Sequence, residues 1–518
     1  MVYGENEGMK GTSGTGIRGQ VFILILLTLI SCSEYDEASR KADEQLAISR
    51  CGSCHQYPEP SLLPKEKWDT VLIRMGARMG MYSKAYNPYA DKSMDKVFKL
   101  KEANVYPEKP MLTQEEWKRI QRFFKKMAPD QLEVPKPDSW PTSPLFTSRF
   151  LEVPFQGEPS ITMTKYEEES GSLYIADRNG GFLKFKNDLT PDYQTRFFKP
   201  VVDIARIDEE SLYVLSIGQL YPDEGNGGGV VKIQEAQPDR QNFLFGELPR
   251  PVAFLKTDLD ADQQTDLLIC SFGNDLGKFS RFEQNQGAFA ETVLKRVPGS
   301  SIVYAEDLNG DSREDLIVLF AQADEGISIF YQKENGFQEK RVLRFPSIYG
   351  SNDFEFLDFD GDGHKDIILS NGDNGDKSNV LKPYHGIRIF LNDGEYNFSE
   401  KYFFPFFGAS KVRCVDFDMD GDLDLFGMSF FPDFGIEGEQ SLVYLENKGD
   451  WQFEPHQIEG AGDGRWMVMD AGDVDQDGDE DIILGSFTLN SEQISPELME
   501  KWQQENKKVL FLENQHIQ

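Results

Sequence analysis

One pattern constrains this chain more than any other. Five segments place an acidic run of nine residues directly before an apolar, strand-like run. They are Asp258-Leu-Asp260-Ala-Asp262 ending at Asp266, Asp307-Leu-Asn309-Gly-Asp311 ending at Asp315, Asp358-Phe-Asp360-Gly-Asp362 ending at Asp366, Asp416-Phe-Asp418-Met-Asp420 ending at Asp424, and Asp473-Val-Asp475-Gln-Asp477 ending at Asp481. Their starts lie 49, 51, 58 and 57 residues apart. A near-fixed period of this size points to a propeller or solenoid array, because each unit can bury its apolar faces only against its neighbours. Each loop runs into a Leu/Ile-rich stretch such as Asp481-Ile482-Ile483-Leu484.

The chemistry of the loop is that of a calcium site. Side-chain oxygens at positions 1, 3, 5 and 9 converge on one centre, and position 7 adds a backbone carbonyl. Hard oxygen ligands on a flexible loop suit Ca²⁺ better than Mg²⁺, which keeps a water-rich octahedron. Five copies in register predict about five calcium ions. The first loop fits least well, because Ala261 and Gln263 stand where glycine would ease the turn. In the second, Asn309 keeps an oxygen but loses a charge.

The loops begin like an EF-hand but end at the ninth residue. They resemble the FG-GAP/VCBS repeats of integrin-like β-propellers, clearly over 250–518 and weakly over 146–250. Two upstream stretches look like blades without the acidic loop: Ser160–Phe185, with Leu173-Tyr174-Ile175-Ala176, and Val201–Ile233, with Leu212-Tyr213-Val214-Leu215. The resemblance therefore implies an all-β, seven-bladed propeller over 146–518. Several repeats return with a strand ending in Asn: Ile389-Phe390-Leu391-Asn392, Tyr444-Leu445-Glu446-Asn447 and, last, Val509 to Asn514. The final blade then lacks an outer strand. Phe146–Val153 is predicted to supply it and close the ring, which removes an open sheet edge.

Charge divides the chain in two. The net charge is −34, yet residues 1–32 sum to zero and residues 33–128 carry 18 Lys/Arg against 14 Asp/Glu. The remainder holds −38 against +4 for the head. Such an acidic body excludes nucleic acid as a partner, since phosphate binding needs clustered Lys and Arg. Five calcium ions would bring −34 to −24.

At the N-terminus, Lys10 and Arg18 precede ten almost wholly apolar residues, Val21 to Ile30. A bilayer-spanning helix needs about 20, so the run reads as the core of a signal peptide over 1–31. It ends Leu29-Ile30-Ser31-Cys32, which resembles the lipobox of bacterial lipoproteins. That resemblance implies acylation of Cys32 and an acidic tether over 32–37. It also implies export and a lipid anchor in the outer membrane, on the periplasmic or the cell-surface face.

The head carries Cys51-Gly52-Ser53-Cys54-His55, one of only five His in the chain. Two thiols one helical turn apart suit the vinyl groups of haem, and the next residue aims its imidazole at the iron. Cys51 and Cys54 are thus expected to attach haem c, with His55 as one axial ligand. No βαβ context suggests a thioredoxin-like dithiol, and no second Cys/His pair lies nearby for zinc. No other His precedes residue 364, so the second ligand is sought among Met75, Met79, Met81, Met94 and Met111. Trp68, Val71, Leu72, Met75 and Met79 share one helical face after Pro64. This resembles the helix after the haem motif in small c-type cytochromes, and it selects Met75 ahead of Met79 and Met111. A second helix opens with the capping box Thr113-Gln114-Glu115-Glu116 and carries Trp117, Ile120, Phe123, Phe124 and Met127. It resembles the C-terminal helix of cytochrome c folds. A small all-α haem domain over 38–128 is expected, then a Pro-rich linker over 129–145.

Cys270 and Cys414 fall in strands of different blades and read as buried free thiols. No Gly-rich phosphate loop, G-x-S-x-G or H-E-x-x-H occurs, so no catalytic residue is assigned. His364 sits at position 7 of a metal loop, where the backbone is the ligand, so its ring is expected to face solvent; His385 and His456 read as isolated. The composite reading is an electron-transfer lipoprotein. Its propeller docks a redox partner protein or recognises a glycan or protein ligand. The alternatives are a propeller dehydrogenase linked to quinone or haem, and a cell-surface adhesion module.

Overall fold

The computed structural model describes residues 35–135, 139–373, 380–436, 440–488 and 494–516. The signal segment, Cys32 and the first part of the tether lie outside them. Four helices come first: α1 Glu37–Cys51, α2 Lys65–Arg78, α3 Met94–Glu102 and α4 Gln114–Met127. Asp36 caps α1 by accepting from the Ser39 backbone N–H at 2.7 Å. The capping box of α4 is formed as expected between Thr113 and Glu116. Trp68 and Leu72 from α2 meet Trp117, Ile120, Phe123 and Phe124 from α4 in one apolar cluster, with Ala47 of α1. A feature the helical periodicity did not reveal ties α1 to α4. Asp43, only 1% exposed, pairs with Arg119 at 2.7 Å and Arg122 at 2.6 Å. Both guanidinium groups stay partly exposed, so solvent screens the attraction.

Seven four-stranded antiparallel sheets follow. Six are built in chain order, and the seventh has the order Phe146–Leu151, Val509–Asn514, Asp481–Ser486, Trp466–Gly472 from outside to inside. Phe146 pairs with Asn514 and Leu151 with Val509, so the expected closure is formed. The first strands of neighbouring blades touch all the way round the ring. The second strand of every blade is buried along its whole length. It is flanked within its own sheet and packed between adjacent sheets. This is why these six-residue runs read as continuous Leu, Ile and Val rather than alternating.

Polar latches join the blades around the channel. Asp203 accepts from the Phe254 N–H at 3.1 Å, Asp353 from Val412 at 3.2 Å and Asp470 from Tyr166 at 2.8 Å, each reaching into the next blade. Arg413 joins Glu355 at 2.7 Å and Asp353 at 3.3 Å. Cys270 and Cys414 are buried free thiols, as expected.

The end of the Pro-rich segment does more than space two parts. Trp140 packs on Phe404, and Gln457 exchanges backbone hydrogen bonds with Pro141 and Ser143 at 2.9 Å each. Residues 140–143 thereby add a short rung to the outer edge of blade six. The helical unit lies against one face of the propeller. Its contacts fall on connections between second and third strands or between blades: Tyr384 Oη donates to the Leu62 carbonyl at 3.1 Å, and Gln56 pairs with Pro346. The acidic loops join first to second strands. Strand direction alternates, so they occupy the opposite face.

Candidate functional site

In the acidic loops of blades three to six the first aspartate organises the turn. Asp258 accepts from the Asp262 and Gln263 N–H groups, Asp358 from Asp362 and Gly363, and Asp416 from Asp420 and Gly421, all at 2.9–3.1 Å. Asp307 does the same toward Asp311 and Ser312. The turn needs left-handed backbone at its fourth and sixth residues. Gly361 and Gly363 supply it freely in blade five, whereas blade three uses Ala261 and Gln263. The mismatch noted in the sequence is therefore real backbone strain, of order 1–3 kcal/mol per residue.

The ninth residue has a role that the spacing alone did not reveal. Asp266, Asp315, Asp366, Asp424 and Asp481 open the buried second strands and are 0–1% exposed. In blade seven, Asp481 accepts from the Val474 N–H at 3.1 Å and from the Asn514 N–H at 2.9 Å. Asp366 and Asp424 bond to Asn392 and Asn447 in the same way, at 2.9 and 2.7 Å. The Asn side chain then returns to the loop: Asn447 Nδ2 donates to the Leu423 carbonyl at 3.0 Å. The strand-ending Asn is thus the partner of the ninth Asp.

The five loops differ in how they balance their charge. Ligand oxygens converge within 4.8 Å in Asp258/Asp260/Asp262, Asp358/Asp360/Asp366, Asp416/Asp418/Asp420 and Asp473/Asp475/Asp477. In blade three the Arg281 guanidinium already sits against Asp260 and Asp266, at 2.6 Å from each. In blade four Asn309 Nδ2 donates to Asp315 at 2.7 Å, and Arg313 pairs with Asp311 at 2.8 Å. Among the described residues, no Lys or Arg pairs with the first, third or fifth aspartates of blades five to seven. There burial, aided by neighbouring carboxylates, pushes Asp418 and Asp475 above the usual carboxylate range. Burial lifts Asp424 to about 7 and Asp481 to about 8. Asp473 and Asp475 each keep a buried oxygen with no hydrogen-bond partner. Oxygens so arranged fit a divalent cation, which supplies the missing partner and restores the ionised form.

Three of the four later histidines occupy different settings. His364 is exposed at the seventh position of its loop. His385 is buried, and burial holds its ring well below the usual imidazole range. His456 is not isolated: its Nε2 lies 3.0 Å from Glu446, with Glu454 close by. The cross-strand register, in which Glu446 faces Glu454 and Tyr444 faces His456, brings them together.

On the helical unit, α1 ends at Cys51, with the Gly52 N–H bonded to the Ile48 carbonyl at 3.0 Å. Cys51 is half-buried and Cys54 exposed; burial, then Cys54, pushes the Cys51 thiol up to about 11. His55 Nδ1 lies 2.8 Å from the Gln56 carbonyl. A carbonyl only accepts, so Nδ1 carries the proton and Nε2 keeps its lone pair. Burial lowers the His55 pKa, which favours the neutral ring. A neutral imidazole with its second nitrogen anchored is the form that ligates iron. Tyr57 Oη beside it is buried with no hydrogen-bond partner. These residues fit a covalently attached haem. Of the candidate distal ligands, Met94 and Met111 are 84% and 54% exposed. Met75 is half-buried on α2, and Met79 packs against the same cluster as Cys51.

A cleft of about 410 Å³ opens between α2 and α4, lined by Ile73, Met81, Tyr82 and Trp117 among others. None of the three motif residues lines it.

Comparison with known proteins agrees with the repeat. A family described as FG-GAP-like repeat matches residues 307–369. That span runs from the acidic loop of blade four into the second strand of blade five. No curated protein matches the chain. Among solved structures, BBS1N in complex with ARL6DN, soaked with mercury, has a TM-score of 0.42 and 9% identity, over 71% of this chain and 96% of that one. The N-terminal domain of Nup159 has a TM-score of 0.40 and 11% identity, over 73% and 97%. Likenesses this low carry no argument. The seven sheets of the chain itself establish the propeller.

Proposed function

We propose that this protein is an exported, lipid-anchored electron carrier. In this reading Cys32 holds the lipid in the outer membrane, facing the periplasm or the cell exterior. Cys51 and Cys54 hold haem c, and His55 ligates its iron through Nε2. Met75 takes the opposite position, with Met79 as the nearest competitor. When bound, the haem supplies one-electron exchange with a redox partner protein. The observation that carries this reading is the His55 ring, which is anchored through Nδ1 directly after a Cys-x-x-Cys pair. Purified protein should stain for haem after denaturing electrophoresis and give a reduced-minus-oxidised spectrum with sharp α and β bands. A protein with neither carries no haem c, and the reading falls.

The propeller serves as the docking or recognition platform, and calcium stabilises its acidic face. The orphaned oxygens of Asp473 and Asp475 support this assignment most strongly for blade seven. The charge asymmetry between head and body acts inside the molecule. Arg78 and Tyr106 meet Asp275, Lys96 meets Asp223 at 2.9 Å and Lys92 lies 3.9 Å from Glu224. Opposite potentials of this kind orient the two parts and fix their register.

A further inference from the structure

Two of the contacts between the parts of the molecule fall beside the haem-attachment motif. Gln56, next to His55, forms a parallel bridge with Pro346 in the connection between blades four and five. Two residues on, Ile348 packs against the cluster that includes Cys51, Tyr57 and Met79. On the propeller side, Asp324 is held by Arg344 Nε at 2.7 Å and by Arg341 Nη2 at 3.0 Å. Arg344 stands two residues before Pro346, so the Asp324–Arg344 pair lies on the connection that reaches Gln56. The Arg78 guanidinium is fixed on Asp275 of blade three.

From this juxtaposition we infer that the haem site is composite. The helical unit supplies the thioether cysteines and the ligands, and the 344–348 connection of the propeller supplies one wall. Arg344 and Asp324 set the charge around the iron from that wall. The inference rests on the haem reading above. A fixed cation near the iron disfavours the ferric state and raises the reduction potential, and a fixed anion lowers it. These effects are strong where water is excluded. Ile348 closes the same wall by excluding water from the Cys51 side. The propeller then tunes the potential of a group bound entirely by another part of the chain.

The test is redox titration of the full-length, haem-loaded protein. Arg344→Gln should lower the midpoint potential and Asp324→Asn should raise it. Arg149→Gln, on the outer strand of the seventh blade, should leave it unchanged. Ile348→Ser should speed reduction of the haem by added dithionite. If both charge variants keep the wild-type potential with an intact haem spectrum, the composite site is wrong and the haem reading stands. A wild-type chain without haem removes the reading beneath it, and the inference with it.

Discussion

In blade three the Arg281 guanidinium reaches between Asp260 and Asp266, at 2.6 Å from each. In blade seven the matching position of the third strand is Phe511, opposite Ile483 as Arg281 is opposite Leu268. Asp473, Asp475 and Asp477 there face one another with no cationic side chain among the described residues. The same acidic pattern is balanced from within in one blade and left open in the other. An aspartate repeat therefore does not by itself fix the number of ions a propeller holds. In blade three the third strand supplies the balancing cation, fifteen residues beyond Asp266, and in blade four Arg313 of the loop itself pairs with Asp311.

The largest expected effect falls on both kinds of blade at once. Deleting 146–151 removes the outer strand of blade seven and exposes a full hydrogen-bonding edge. The variant should lose cooperative unfolding in calorimetry, with calcium or without it. If calcium alone restores a wild-type transition, ring closure is not what unites the blades. Chelation comes next and should separate the two kinds. Removing ions that bind only the folded state lowers stability by mass action, here by roughly 10 °C in Tm for several occupied loops. Hydrogen exchange after EDTA treatment should rise in blades five to seven and stay low in blade three. Melting that EDTA leaves unchanged would falsify the calcium assignment.

Arg281→Leu tests the comparison directly. Without calcium it strands the buried Asp266 and should cost about 3–5 kcal/mol. With calcium, elemental analysis should find one more ion per chain than in the wild type, and most of the stability should return. In blade seven the converse change, Asp475→Asn, should remove one bound ion.

Glu325 gives the smallest and cleanest reference, a buried acid outside the five acidic loops. Burial lifts it from 4.5 to about 8, against hydrogen bonds from Ser351 that favour its ionised form. The folded chain thus keeps a proton that the unfolded chain releases. That contribution is full below about pH 4.5 and is lost as the pH rises through about 8. Glu325→Gln should therefore be nearly neutral at pH 4 and stabilising by on the order of a few kcal/mol at pH 9. Equal effects at both pH values would show that the carboxyl does not titrate with folding.

Much of this architecture is legible in the chain because it is local and repeated. The Asp-x-Asp/Asn-x-Asp spacing marks the first-to-second strand connection of blades three to seven, and the apolar run after it marks a strand buried on both sides. The capping box at Thr113 places α4 to the residue. The rest depends on partners far apart in sequence. Nothing near Asp43 announces Arg119 and Arg122, because the pair exists only once α1 crosses α4. Arg281 reads as one more surface cation until the strand register turns it into the loop. Trp140 looks like part of a spacer until blade six provides Phe404. The ninth aspartate is half legible: its acidity suggests a ligand, but its hydrogen bond to the strand-ending Asn needs the third strand in place. For the same reason the sequence names Met75, whereas the packing sets Met79 and Cys51 against the same apolar cluster.

The pairing of Phe146–Leu151 with Val509–Asn514 also has a consequence for how the molecule is made. The ladder joins stretches roughly 360 residues apart in the chain. Bringing such distant ends together costs about 5 kcal/mol in loop entropy. Synthesis delivers Phe146 long before Asn514. The early strand must therefore wait, unpaired, while six blades form beside it. Completion of the ring becomes the last event in its assembly, and a truncated product carries a permanently exposed edge that cellular proteases can find.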